Sequence, residues 1–420
     1  MKFSKKLTTA IATSAVLLNA LAPLALADTS LTISGNGDNA NSTVSVNNNT
    51  NTTVEQHNVA HVTNNVTTNA NTGDNNANHN TGGDVNVTTG SVNSTATVTN
   101  ELNANQATVS NNNSTGNTTA TISGNGDGSN NGAHLNTTDQ TYVGQDNFAD
   151  VHNTVSTNAN TGHNGAYGNT GGDVTMTTGS VTSNDTVSTA ANANIAQVGG
   201  SENASSSINL TESGNGDDSH NSIRLNNDPT TTISQDNDAH IDNNVTSHLG
   251  TGGNFADHNT GASVNVKTGD ANATVGVDNA TNFNAADVLD NGLATTVNAT
   301  IGGSDPKSGN GDDSDNRIAA NLGGFLYVDQ GYGDNGNNAD LNNNVASSLY
   351  TGHNAADHNT GGHDSQFTDQ TGNSMSNVSV NNAGNANVYG DLSNLHLPGN
   401  TNVSISFDLS QLLGMLHVSI

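Results

Sequence analysis

The chain has no cysteine, no tryptophan, only 4 prolines among 420 residues, and 3% aromatic residues. Without cysteine there are no disulfides and no thiolate metal sites, so stability has to come from packing and hydrogen bonding. Basic residues are nearly as scarce: 7 Lys and Arg stand against 37 acids. Nucleic acid is excluded as a partner, because phosphates need a cationic surface. Only 31% of residues are apolar, too few for several ordinary globular cores. Disorder is the usual fate of such compositions, and only a regularity in the sequence argues otherwise.

That regularity is a ruler. The tetrapeptide Gly-Asn-Gly-Asp ends at Asp38, Asp127, Asp217 and Asp312. Its second glycine recurs as Gly37, Gly126, Gly216 and Gly311, which makes four copies of one unit. In every copy one constant interval separates that glycine from a glutamine: Gln56, Gln145, Gln235 and Gln330. A second constant interval leads on to Gly73, Gly162 and Gly252, and the same interval again to Gly90, Gly179 and Gly269. In the fourth copy the step after the glutamine is longer, and Gly331-Tyr332-Gly333-Asp334-Asn335 reads as an insertion. A disordered tract has no reason to hold such spacings. Small residues at fixed offsets are the signature of a stacked array.

Val44-Ser45-Val46, Val85-Asn86-Val87, Val174-Thr175-Met176, Val264-Asn265-Val266 and Val275-Gly276-Val277 alternate apolar and polar residues, the period of a half-buried strand. Asn and Gly favour corners over helix interiors. The expected fold is therefore all-β: a repetitive β-solenoid of four roughly 90-residue units. With about five turns of about 18 residues per unit it would have about 20 turns, and a rod on the order of 95 Å at about 4.8 Å per turn.

Residues 1–27 read as a different object. Lys2, Lys5 and Lys6 precede an apolar stretch from Leu7 to Leu24 that ends in Ala25-Leu26-Ala27. This is the pattern of a secretory signal peptide cleaved before Asp28. After it, no stretch has the length expected of a membrane-spanning helix. The rest keeps Arg224, Lys267, Lys307 and Arg317 against 37 acids. The expected location is extracellular or at the cell surface of a bacterium. Residues 28–390 form the repeat region. Residues 391–420, with Val403, Ile405, Phe407 and Leu409 alternating before Leu412, Leu413, Met415 and Leu416, read as an apolar cap or docking segment.

Each unit carries two related pentads at a fixed separation. The first is Gln56-x-Asn58-x-Ala60, repeated at Gln145-x-Asn147-x-Ala149 and Gln235-x-Asn237-x-Ala239, with Gln330 and Asn337 split by the insertion. The second centres on Asn75, Asn164, Asn254 and Asn354. Residues two apart share a face of a strand, so these Gln, Asn and Ala positions are candidates for a structural ladder. The pentads resemble the half-repeat of curlin-type amyloid subunits, in which Gln, Gly, Asn and Ala recur in a strand-turn-strand unit. They depart from it in lacking the Gly between Gln and Asn, and in ending on Asn80-Thr81-Gly82, Asn169-Thr170-Gly171, Asn259-Thr260-Gly261 and Asn359-Thr360-Gly361. More broadly the chain is similar to Asn/Gly/Thr-rich repeat proteins of bacterial surfaces. That resemblance implies an adhesive, sheath or matrix role, and the curlin likeness implies fibre formation.

Asp38, Asp127, Asp217, Asp218, Asp312, Asp313 and Asp315 sit on or beside tight Gly-rich loops. Carboxylates in such loops are candidate Ca²⁺ ligands, or Asx-turn corners. His353, His358 and His363 with Asp357 form the tightest histidine group, and the other copies lack the full set. No nucleophile–base pair recurs at a fixed spacing, so the chain reads as non-enzymatic. The expected function is a structural or adhesive component of the bacterial surface or extracellular matrix. It would contact envelope or matrix components, or copies of itself. A curlin-like fibre subunit and a calcium- or carbohydrate-binding surface module are the alternatives.

Overall fold

The computed structural model describes the backbone of residues 8–13 and 16–21, and residues 29–109, 118–199, 207–261, 263–289, 296–302, 310, 314–331, 336–361 and 365–390. The cleavage site, Asp312, Asp313, His363 and the segment 391–420 lie outside the described residues. Within them every element is a β-strand, and every strand pairing between units is parallel. No helix among the described residues is long and apolar enough to cross a membrane.

The first unit begins with a short strand, Thr29–Ser34, turns at the Gly-Asn-Gly-Asp corner, and enters a long outbound strand, Asn41–Asn71. A corner leads to Val85–Thr88, and the chain comes back along Val92–Val109. The second unit repeats this path with Thr118–Ser123, Asn130–Asn160, Val174–Thr177 and Val181–Val198. In the third unit Asp228 and Pro229 split the outbound strand into His220–Asn227 and Thr230–Gly250. Proline cannot donate to a sheet, so the break falls where the ladder loses a donor.

Each strand lies against its equivalent in the next unit. Asn41 is opposite Asn130 and Asn71 opposite Asn160 throughout the outbound pair. Val92 is opposite Val181, which is opposite Ala271. Hydrogen-bonded neighbours are thus a whole unit apart in sequence: 89 residues between Asn58 and Asn147, 90 between Asn147 and Asn237. This corrects the expectation of several short turns in each unit. A continuous strand of 31 residues is too long for such a turn, so the short glycine and glutamine steps mark positions along one circuit. The stack is four strands deep in both short sheets, on the order of 15 to 20 Å at strand spacing, not a long rod. The long dimension runs along the strands.

The insertions show which segments must align. Glu212 faces Ile301, yet Asn215 bonds Asn310 across 95 positions. The step is still 95 at Gln235–Gln330 and becomes 100 at Asp238–Asn338. It reaches 103 by Gln366 and Ser263. Extra residues enter between strands in three places rather than at the single loop expected, and register within each strand is preserved.

The core lies between outbound and returning sheets. Val66, Val155 and Val245 pack against Ala96, Val98, Val187, Val275 and Val277. Val54, Val143 and Ile233 meet Ala107, Val109, Ala196, Val198 and Ala286. Near the start of the outbound strands, Ala133, Leu135, Ile223 and Leu225 meet the short-strand residues Leu31, Ile33, Ile122 and Leu210. Each apolar column is buried by its own repeats and by one facing column, so few apolar residues suffice. Thr8–Thr13 and Val16–Leu21, part of the segment read as a leader, pair in parallel with Val92–Val109, Thr8 opposite Ala96 and Val16 opposite Ala104.

Glycine is imposed where layers touch backbone to backbone. A Cβ added at Gly73 would stand 1.9 Å from the carbonyl oxygen of Gly162, and one at Gly162 would stand 1.9 Å from that of Gly252. Overpacking of this kind costs about 1–3 kcal/mol or more. Gly162→Ala is therefore expected to lower the melting temperature followed by circular dichroism, while Gly37→Ala, with open space around it, leaves it nearly unchanged. Equal melting of the two variants would refute the close stacking.

Candidate functional site

The polar interior is organised as columns of amides. Gln145 donates Nε2–H to Gln56 Oε1 at 2.7 Å, Gln235 to Gln145 at 2.7 Å, and Gln330 to Gln235 at 2.9 Å. Each of these glutamines also donates across the core to a carbonyl of a returning strand: Gln106, Ile195, Ala285 and Val388 for Gln56, Gln145, Gln235 and Gln330. Two residues on, Asn58 donates to Asn147 and Asn147 to Asn237, both at 3.0 Å. Ala60, Ala149 and Ala239 follow on the same face and are buried. Strand alternation puts these three positions on one face.

At the corners the second column behaves differently. Asn75, Asn164 and Asn254 donate side-chain N–H to Asn164, Asn254 and Asn354 at 3.0, 2.8 and 2.9 Å. Each also donates to the carbonyl of a preceding threonine, Thr72, Thr161 or Thr251. Their backbone N–H groups bond the same acceptor in the next unit. One amide thus closes its own corner and links two layers. Two further corner columns make the same link from layer to layer, with added bonds to carbonyls of the preceding unit. Asn125 and Asn215 donate to Asn215 and Asn310 at 2.9 and 3.0 Å. Asn80, Asn169 and Asn259 donate to Asn169, Asn259 and Asn359 at 2.8, 2.9 and 2.9 Å.

The returning strands supply partners that the sequence reading passed over. Asn105, Asn194 and Asn284 form their own column at 3.0 Å spacings. They are also cross-bonded to the outbound column, Asn58 to Asn105 at 2.8 Å, Asn147 to Asn194 and Asn237 to Asn284 at 2.7 Å. Asn103, Asn192, Asn282 and Asn385 take left-handed φ of 55° to 64° and form a third column. Their unit-length spacing was present in the sequence as a signal. Each amide column repeats one side chain at strand spacing, where a donor and an acceptor per residue satisfy the neighbours above and below.

The calcium candidates are placed differently. Asp38, Asp127, Asp217 and Asp218 are exposed, and Asp127 N–H bonds Asp38 Oδ1 at 3.1 Å. Asp315 is opposite His220. Among the described residues, ligand-type side chains converge in threes at two other places: Asp150, His152 and His240, and Asp257, His258 and His358. The second lies in the expected histidine region and adds Asp257 and His258 from the third unit. His353 stands apart, edge-on to Tyr350 with ring centroids 5.3 Å apart. On the outer surface an open hollow of about 620 Å³ is lined by Asn71, Asn158, Asn160, His163, His248 and Tyr350 among others.

Among the described residues three acids are buried, Asp185, Glu212 and Asp287, and the first two stand out. Asp185 accepts hydroxyl hydrogens from Thr157 at 2.8 Å, Ser183 at 3.0 Å and Ser247 at 2.5 Å. Glu212 occupies a column otherwise made of Ile33, Ile122 and Ile301. Burial raises its carboxyl to about 7, opposed in part by backbone N–H groups of Ile223 and Arg317 and reinforced by Asp315.

No family model, no curated protein and no solved structure matches the chain.

Two outcomes follow from this geometry. Asn147→Ala removes a donor and an acceptor that serve Asn58, Asn194 and Asn237, and is expected to cost about 2–3 kcal/mol in urea unfolding. A substitution of exposed Asn65 serves as control, and equal losses would refute the core role. For Glu212 the folded carboxyl holds its proton more tightly than the unfolded one. Its contribution is therefore fully present below about pH 4.5 and is lost as pH rises through about 7. Glu212→Ile should gain stability over the native chain across that window, then level off at an advantage on the order of 3 kcal/mol. An advantage independent of pH would show that the carboxyl titrates normally.

Proposed function

We propose that this chain is a secreted, non-enzymatic structural or adhesive component of a bacterial surface or extracellular matrix, built as a β-solenoid in which each repeat unit is one circuit. The observation that carries this reading is the continuity of the amide columns. Gln56, Gln145, Gln235 and Gln330 form one unbroken row through all four units. The corner amides do the same from Asn75 to Asn354. The repeated polar residues of the interior are thereby occupied with holding layers together, as a scaffold requires. The leader-like segment 1–27 and the acidic, cysteine-free composition support an extracellular setting.

A second reading, a subunit that stacks end to end into fibres, is favoured by one column. His61, Asp150, His240 and Asp340 alternate in charge type up the outer face. A following copy beginning with His61 would continue the alternation, and its Gln56 and Asn58 would meet the Gln330 and Asn337 of the preceding copy.

Light scattering and electron microscopy of the purified chain over several days separate the two. Monodisperse single particles with a β-type circular dichroism spectrum are expected of a surface-displayed scaffold. Fibres with a strand-spacing reflection along their axis would establish the stacking subunit. An expanded coil without β signal would overturn both.

A further inference from the structure

The outer face of the outbound sheet carries a histidine–carboxylate lattice that the amide columns do not use. Its centre is Asp150, His152 and His240, whose ligand-type atoms all lie within 4.8 Å of one another. Residues 150 and 152 are two apart on one strand and so point to one face. His240 comes from the next unit, directly opposite Asp150. The His152 and His240 rings meet edge to face with centroids 5.7 Å apart.

Each member is held from behind by a further group. His240 Nδ1 lies 3.1 Å from Asp340, which leaves Nε2 as its other donor. His152 sets Nε2 at 3.1 Å from Asp150 Oδ1 and turns Nδ1 toward Asp242 at 3.8 Å. The second oxygen of Asp150 faces His61 at 3.4 Å. A carboxylate behind a ligating imidazole fixes the ring and raises its basicity, the usual outer partner of a metal-bound histidine. Asp146, Asp236 and Asp238 lie on the same face at neighbouring positions, so the local field favours a cation.

We propose that Asp150, His152 and His240 bind one divalent transition-metal ion, with Zn²⁺ as the representative, and that the ion staples the second unit to the third. Two imidazoles and one carboxylate suit a borderline cation rather than Ca²⁺, which takes six to eight oxygens. Water completes the coordination, because the side chains of His152 and His240 are 46% and 42% exposed. Asp242 and Asp340 act as positioning residues through the imidazoles. The site is independent of whether the chain is a scaffold or a fibre subunit.

The test is a Zn²⁺ titration by isothermal calorimetry of the full chain, purified without a polyhistidine tag, with X-ray absorption spectroscopy of the loaded protein. Expected are saturable uptake, a spectrum with two imidazole ligands, and a rise in melting temperature. His152→Ala and His240→Ala should each weaken the strongest binding by about 10-fold or more, and Asp340→Asn by a smaller factor. These side chains are on the surface, so circular dichroism verifies that the variants stay folded. A double variant at the other convergence, His258→Ala with His358→Ala, should leave that binding unchanged. The proposal is overturned if the native chain shows no saturable uptake. It is overturned equally if the His152 and His240 variants bind as tightly as the native chain, or if only the His258 and His358 variant loses the ion.

Discussion

Everything in this molecule depends on parallel, in-register contact between one repeat unit and the next. In such a stack a residue meets its own equivalent at strand spacing, so the sequence must use side chains that tolerate themselves as neighbours. Amides do, since each offers a donor on one side and an acceptor on the other. Small β-branched residues do, because valine and isoleucine interdigitate with themselves and the threonine hydroxyl can both donate and accept. Like charges do not. This explains the abundance of Asn and Thr and the confinement of most acids to outer positions and corners. Buried acids depart from this rule, among them Asp185 with three hydroxyl donors and Glu212 with its raised carboxyl.

The same constraint makes a thin core sufficient. A globular domain of this length needs a deep apolar interior. Here each layer is a single circuit whose outbound and returning strands face one another, and the burial missing within a layer comes from the layers above and below. Val143, Val155, Ile233 and Val245 are fully buried although their side chains are modest in size. Glycine then marks the places where layers approach through backbone alone, as at Gly73, Gly162 and Gly252. Left-handed backbone occurs both at corners, as at His163 after the strand Asn130–Asn160, and within a strand, as at Asn192 in Val181–Val198.

On the outer face the alternation of His61, Asp150, His240 and Asp340 shows how ionisable groups enter such a stack at all. The sequence places opposite types in successive units, so a column that would otherwise set like groups side by side becomes a row of histidine–carboxylate contacts. A binding site made this way belongs to no single unit. It exists only where two layers meet, and therefore only where the repeat departs from strict identity.

Sequence alone determined the β character and the recurrence of Gln, Asn and Ala on one strand face at unit-length spacing, because local alternation and spacing are written in residue order. The glycine corners were equally legible. What residue order could not decide was which spacing corresponds to a hydrogen bond. The short step from Gly37 to Gln56 and the long step from Gln56 to Gln145 are equally regular on paper. Only the fold shows that the long step joins neighbours while the short one lies along a single circuit. The facing columns at Asn105 and Asn194 were invisible as partners of Asn58 and Asn147 for the same reason: they meet across the core, about half a unit apart in the chain. The cluster of Asp150, His152 and His240 joins residues of two units, and the tertiary structure alone sets the distance between them.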